Sequence, residues 1–194
     1  TKVFIMEVMG RKAGWIAASG ALAQTNDADP PHLILFPEVA FNPDLFCEKV
    51  QAAVNQYGFC SIIASEGIQD QNGVFLSESN LKDSFGHAQL GGVAPILANI
   101  VNDKLGLKNH WAVSDYLQRS ARHIASQVDV DQAYAVGKAA VEFAVSGKTD
   151  IMPIIVRDSN SPYRYHIGEA PLQEVAVIEK LLPKEFIDKS GFGI

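Results

Sequence analysis

The sequence has little of what marks several protein classes. It holds only two cysteines in 194 residues, Cys47 and Cys60. Their spacing fits no metal knuckle, redox pair or disulfide scaffold, so reduced thiols and a cytoplasmic setting are the expectation. No apolar run reaches the length of a membrane span. There is no excess of positive charge: the net charge is -6. That argues against a nucleic-acid-binding stripe but leaves room for a local basic patch suited to a small phosphate ester. The sequence also has no G-x-G-x-x-G, no P-loop, no G-x-S-x-G elbow, no H-x-x-E-H and no C-x-x-C. A dinucleotide site, a nucleoside-triphosphate loop and a serine-hydrolase elbow are therefore unsupported. Nothing reads as a complete phosphoryl-donor site. Internal repeats and low-complexity tracts are also missing.

What is present is a hydrophobic fraction of 47%, enough for a sizeable core in one large α/β domain or two lobes. The opening residues Thr1-Lys2-Val3-Phe4-Ile5 read as the inside of a strand, with neither initiator Met nor leader. A fragment of a longer chain is expected. Short β-branched runs at Val3 to Val8, Leu33 to Phe36, Cys60 to Ser65, Trp111 to Val113 and Ile151 to Val156 read as strands. Arg11 to Ala23 reads as a helix. A second opens at Asn42-Pro43-Asp44 with a capping Asn and an early Pro. Residues 74–86 read as irregular or weakly helical, and an apolar helix follows over Leu90 to Lys104. Asp131 to Val145 is the clearest helix, with Gly147 as its stop. Tyr163 to Gly168 reads as a hairpin arm or edge strand, and the tail around Leu181 to Ile187 as a short helix. Alternating strands and helices predict an α/β fold: three layers, with a mostly parallel sheet flanked by helices.

Ligands of such sheets sit beyond the C-terminal strand ends. Three of those ends carry polar residues: Gly10-Arg11, Glu38 and Glu66. Gly10 lets a ligand approach the backbone, and a helix N-terminus there would offer free N–H groups to phosphate or sugar hydroxyls. Glu38 and Glu66 could accept from sugar hydroxyls, or cap a segment and hold a structural contact. In Tyr116-Leu117-Gln118-Arg119-Ser120-Ala121-Arg122-His123, a helix would place Arg119, Arg122 and His123 on one face. Guanidinium forks match phosphate oxygens, so the cluster suits a phosphate dianion; its plain alternative is a solvated basic patch. His87 stands alone and is weak as a metal ligand. Trp15 and Trp111 read as core.

The stretch Met6-Glu7-Val8-Met9-Gly10-Arg11-Lys12-Ala13-Gly14 resembles the signature of the 6-phosphofructokinases. Phe36-Pro37-Glu38, Ala64-Ser65-Glu66-Gly67, Leu90-Gly91-Gly92 and Tyr116-Leu117-Gln118-Arg119 follow in the family's order. The resemblance implies that Met9, Gly10 and Arg11 contact fructose 6-phosphate, that Glu38 binds the sugar and that Arg119 holds the 6-phosphate. Arg122 and His123 have no role in the motif and rest on the charge cluster alone. Tyr116 stands where ATP-dependent members usually carry His, and Ser120-Ala121 replaces a Gly pair. The Tyr looks like the diphosphate-dependent branch, which makes Tyr116 a further sugar-phosphate contact and diphosphate the donor. The family's donor loop and catalytic Asp precede Met-Gly-Arg, as would most of a Mg²⁺ site. Residues 1–194 are therefore expected to be the fructose 6-phosphate-binding C-terminal part, inactive alone and with no metal site of its own. A homodimer or homotetramer is expected, with no nucleic-acid or membrane partner. The alternatives are an ATP-dependent member, a non-catalytic regulatory homologue that binds a sugar phosphate, and an unrelated α/β interaction domain.

Overall fold

The computed structural model describes residues 1–77 and 92–194, in two compact units. His87, the Leu90-Gly91 start of the expected helix, and most of the segment read as irregular or weakly helical lie outside the described residues. The first unit comprises Thr1–Gln118 and Glu179–Ile194, the second Arg119–Ile178.

The first unit is built on a four-stranded sheet of β1 (Val3–Val8), β2 (Leu33–Leu35), β3 (Cys60–Ser65) and β4 (Asn109–Val113), in the order β2-β3-β1-β4. Every pairing is parallel, with Ile5 opposite Ile62 and Trp111. Because side chains alternate along a strand, the two faces receive different residues. Val3, Ile5, Leu33, Leu35, Ile62 and Ala64 face the larger core. Ile34, Phe36 and Val8 face a smaller one.

Helices α2 (Pro43–Tyr57) and α3 (Val93–Leu105) cover the larger core, and α1 (Trp15–Ser19) lies over the other face. In α2 the buried residues Phe46, Cys47, Val50 and Ala53 recur at helical spacing. The Asn42 side chain accepts from the N–H groups of Asp44 and Leu45, as a capping Asn should, and Gly58 at φ 84° ends the helix. In α3 the buried stripe is Val93, Ala94, Leu97, Ala98 and Val101. Its N-terminus is capped from a distance. Glu7 on β1 is buried, and its two oxygens accept from Gly92 N (2.9 Å) and Ala94 N (2.8 Å). Two N–H donors and the positive helix end offset the cost of burying that carboxylate. Both cysteines are buried free thiols, and burial pushes the Cys60 thiol up to about 12.

The second unit holds α5 (Gln127–Val145) and an antiparallel ribbon of β5 (Ile151–Asn160) and β6 (Tyr163–Pro171), followed by α6 (Leu172–Val175). Helix α5 begins four residues before the expected Asp131, because the Ser126 side chain caps it by accepting from Asp129 N. Gly147 follows its end at φ 81°. Strand β5 does not extend the parallel sheet, contrary to the expectation of another buried strand. It pairs with β6 alone, and none of its residues is fully buried. The tail forms a 3-10 turn over Lys184–Phe186 in place of the expected α-helix. No helix among the described residues is long and apolar enough to cross a membrane.

Candidate functional site at the strand ends of the parallel sheet

All four strands of the first unit run in one direction, so Met9-Gly10-Arg11, Pro37-Glu38, Glu66-Gly67 and Ser114 to Gln118 leave the same edge. The connection after β1 crosses one face through α1, while that after β3 crosses the other through α3. Adjacent strands whose connections diverge leave a crevice at their C-terminal ends, where open α/β sheets place their ligands.

Two of the sequence motifs meet in this crevice. Gly10 N donates to Glu66 Oε1 at 3.2 Å, and Ser65 Oγ donates to Gly10 O at 2.5 Å. Glu66 N donates to Val8 O at 2.9 Å. Gly10 sits at φ 146°, a conformation open to glycine. Gly67 is required by close approach instead: a Cβ there would lie 1.8 Å from Arg11 O. Ser65-Glu66-Gly67 and Met9-Gly10-Arg11 are thus the two sides of one contact.

Helix α1 does not begin at Arg11. It begins at Trp15 and has five residues. The expected helix N-terminus at Gly10 is therefore absent, because the side-chain bonds and positive φ at Gly10 draw the backbone into a loop over Met9 to Gly14. The Arg11 side chain is half-buried and has no acidic partner among the described residues.

Glu38 lies just after β2 and is tied to two backbone N–H groups. Its Oε1 accepts from Gly14 N and from Leu182 N, both at 2.8 Å. Its Oε2 is buried and has no hydrogen-bond partner among the described residues. A Cβ on Gly14 would lie 2.7 Å from that oxygen. The seat of Glu38 therefore accounts for Gly14, the last glycine of the signature. Of the two strand-end glutamates, Glu66 is the one placed against Gly10.

Gln118 is a site residue that sequence reasoning passed over. Its Oε1 accepts from Met9 N at 3.2 Å, and its Nε2 donates to Asp115 O at 2.9 Å. Asp115 adopts φ 42°, a left-handed conformation that Asp tolerates better than most residues, and turns the chain after β4. The sequence signal was available in the Tyr116-Leu117-Gln118-Arg119 block, but only a pairing across 109 positions gives Gln118 its partner. Tyr116 is largely exposed beside it.

Arg119, Arg122 and His123 belong to the second unit. They do not share one helical face. The four-residue helix α4 (Leu117–Ser120) stops, Ala121 turns at ψ 53°, and Arg122 and His123 begin a 3-10 turn. The three side chains are exposed and have no acidic partner among the described residues. Neither do the described residues contain a group of three His, Cys, Asp or Glu placed to hold a metal ion.

A parallel α/β sheet with polar, glycine-bearing loops at its switch point is the arrangement at which open α/β sheets take small ligands. The chain belongs to the phosphofructokinase family, whose model matches residues 1–144. It is 55% identical, over 194 residues, to a pyrophosphate–fructose 6-phosphate 1-phosphotransferase of Methylococcus capsulatus. The match covers 100% of this chain and 46% of that protein. A crystal structure of a pyrophosphate-dependent phosphofructokinase from Marinobacter aquaeolei superposes with a TM-score of 0.85 at 56% identity, over 100% of this chain and 45% of that one. An ATP-dependent 6-phosphofructokinase 1 of Nostoc is 33% identical over 78% of this chain and 40% of its own length. The chain spans about half the length of the curated relatives it matches. Those at 50% identity and above carry the pyrophosphate-dependent name.

Proposed function

We propose that the protein is a diphosphate-dependent 6-phosphofructokinase and that this chain supplies its fructose 6-phosphate side, as a C-terminal part. The observation that carries this reading is the β1/β3 crevice, where Gly10 is fixed against Ser65 and Glu66 while Arg11 has no acidic partner among the described residues. Backbone close to a ligand, a carboxylate oxygen and a guanidinium together suit a phosphorylated polyol. Glu66 would accept from sugar hydroxyls, and Arg11 would offset phosphate charge. Arg119 would supply a second guanidinium for the 6-phosphate, with Tyr116 offering its hydroxyl. Arg122 and His123 remain a phosphate patch on the charge-cluster argument alone.

In the reaction, O1 of fructose 6-phosphate attacks the terminal phosphorus of diphosphate. A new P–O1 bond forms, the bridging P–O bond breaks, the O1 proton passes to a base, and orthophosphate leaves. Catalysis of this kind rests on positioning and charge neutralisation. The contribution of this chain is to hold the acceptor sugar. The described residues contain no group of three His, Cys, Asp or Glu placed to hold a metal ion, and the resemblance puts the base and the donor loop outside residues 1–194. A homodimer or homotetramer is part of the proposal.

The test is a coupled assay of the full-length protein on fructose 6-phosphate with diphosphate or ATP as donor. Turnover with diphosphate is expected. Turnover with ATP alone would overturn the donor assignment, and binding without turnover would mark a non-catalytic homologue. Arg11→Ala and Glu66→Gln should each raise the KM for the sugar phosphate about 10- to 100-fold, as expected for loss of a charge-assisted hydrogen bond.

A further inference from the structure

The resemblance makes Glu38 a sugar contact, and the structure ties it to two backbone segments. Oε1 takes the N–H groups of Gly14 and Leu182, and Oε2 is buried. We propose that Glu38 is a positioning residue for the sugar-phosphate site: it latches the segment Glu179 to Leu182 onto the loop that carries Gly10 and Arg11. This inference rests on the functional reading above.

The loop from Met9 to Gly14 is fixed at two points. Gly10 is held by Ser65 and Glu66, and Gly14 by Glu38. Arg11 lies in the span between these anchors, so its position depends on both. Without Glu38 the second anchor is gone, and two backbone N–H groups in a buried setting lose their acceptor. The same tail segment reaches the loop region twice more. Lys12 Nζ pairs with Glu179 Oε1 at 3.0 Å, and the Trp15 indole donates to Lys180 O at 2.7 Å. Three contacts therefore tie one short tail stretch to this loop, the start of α1 and Glu38.

The test uses the full-length protein and reads the two substrates separately. Glu38→Ala should raise the dissociation constant and KM for fructose 6-phosphate by about 10-fold or more while leaving the KM for diphosphate within about 2-fold. Glu38→Gln keeps an acceptor oxygen for both N–H groups and should recover most of the sugar affinity. An unchanged sugar affinity in Glu38→Ala overturns the latch. So does an equal loss for both substrates that Glu38→Gln fails to rescue, since that is the mark of general destabilisation. If Glu38→Ala does not fold, the double variant Trp15→Phe with Glu179→Gln approaches the latch from the tail. It should raise the sugar KM about 3-fold with the diphosphate KM unmoved, and no change would overturn the proposal. If the wild-type protein does not bind fructose 6-phosphate, the functional reading fails by itself. Amide exchange across Met9 to Gly14 then decides the latch: faster exchange in Glu38→Ala, restored toward wild type in Glu38→Gln, supports it, and unchanged exchange in Glu38→Ala overturns it.

Discussion

The two units of the chain are organised on different physical terms. The first buries a layered core, with Val3, Ile5, Phe46, Val50, Ile62, Val93, Leu97 and Val101 all at 0% exposure. In the second, Ala139 is the one buried hydrophobic residue, beside the buried polar Gln132. Helix α5 instead shows Tyr134, Val141 and Val145 to solvent. Its order comes from the helix's own hydrogen bonds, its Ser126 cap and the nine-pair register of the β5–β6 ribbon. A strong helical period in the sequence thus reports that a helix forms, and says nothing about how much core it makes. The crevice, with its ångström-scale contacts at Gly10, Gly14 and Gly67, sits on the unit that has the core to hold it rigid.

The sharpest way to break this comparison is to cut equal amounts of side chain from each unit. Leu97 is fully buried in α3, so Leu97→Ala removes apolar contact and leaves a cavity. It should cost about 2–5 kcal/mol in chemical denaturation of this chain. Val141 is 63% exposed on α5 in the same chain, and Val141→Ala there should change stability by less than about 0.5 kcal/mol. Similar losses at the two positions would refute the contrast.

Much of the fold was legible in the sequence, and most of the exceptions share one cause. The Asn42-Pro43 start of α2 and the stop at Gly147 are local events, and both are found where the local signals put them. The convergence of Gly10, Glu38 and Glu66 on one edge followed from strand alternation. What could not be read was which distant group each polar residue would meet. Glu7 caps a helix that starts 86 residues later, and Gln118 reaches back to Met9. Glu38 meets Leu182 across 144 positions, a backbone partner that no local signal marks. The helix expected from Arg11 gave way for the same reason, since long-range bonds at Gly10 and Gly14 hold the intervening backbone as a loop. The break at Ala121 is different: nothing in Ser120-Ala121-Arg122 marks a turn, and it separates Arg119 from Arg122 and His123.

Two glycines sharpen the comparison with opposite outcomes. In the first unit, Gly67→Ala would place a Cβ against Arg11 O, with the Gly10 carbonyl also within 2.5 Å. Those atoms are backbone, so the loop itself must move. The expected result is a rise of about 10-fold or more in the sugar-phosphate KM, matching the loss of a charge-assisted contact at Arg11. In the second unit, a Cβ on Gly137 meets nothing within 4 Å, and the residue lies inside α5. Gly137→Ala should therefore stabilise the helix by about 0.5–1 kcal/mol through reduced freedom of the unfolded chain. Urea denaturation and sugar-phosphate kinetics on the same two variants check both signs.

A pH dependence also belongs to the first unit. His32 lies just before β2, between the rings of Tyr57 (centroids 4.9 Å, stacked) and Phe59 (4.8 Å, edge-on). Its Nδ1 accepts from Ser61 N at 3.0 Å, which places the proton of the neutral ring on Nε2. Burial lowers its pKa below the ordinary histidine value, because the charged ring is poorly solvated there. Protonation would also remove the acceptor that Ser61 N uses. The unfolded chain therefore takes up this proton first as pH falls. The stability associated with neutral His32 is fully present above about pH 6.5 and is lost as pH drops through that value toward the lower folded pKa. Replacing His32 with Phe should lower stability at neutral pH, since Ser61 N loses its partner, while flattening the profile between about pH 7.5 and 5.5. Denaturation at those two pH values, with amide exchange resolved by unit, checks it. An unchanged slope in His32→Phe would move the pH dependence to other groups.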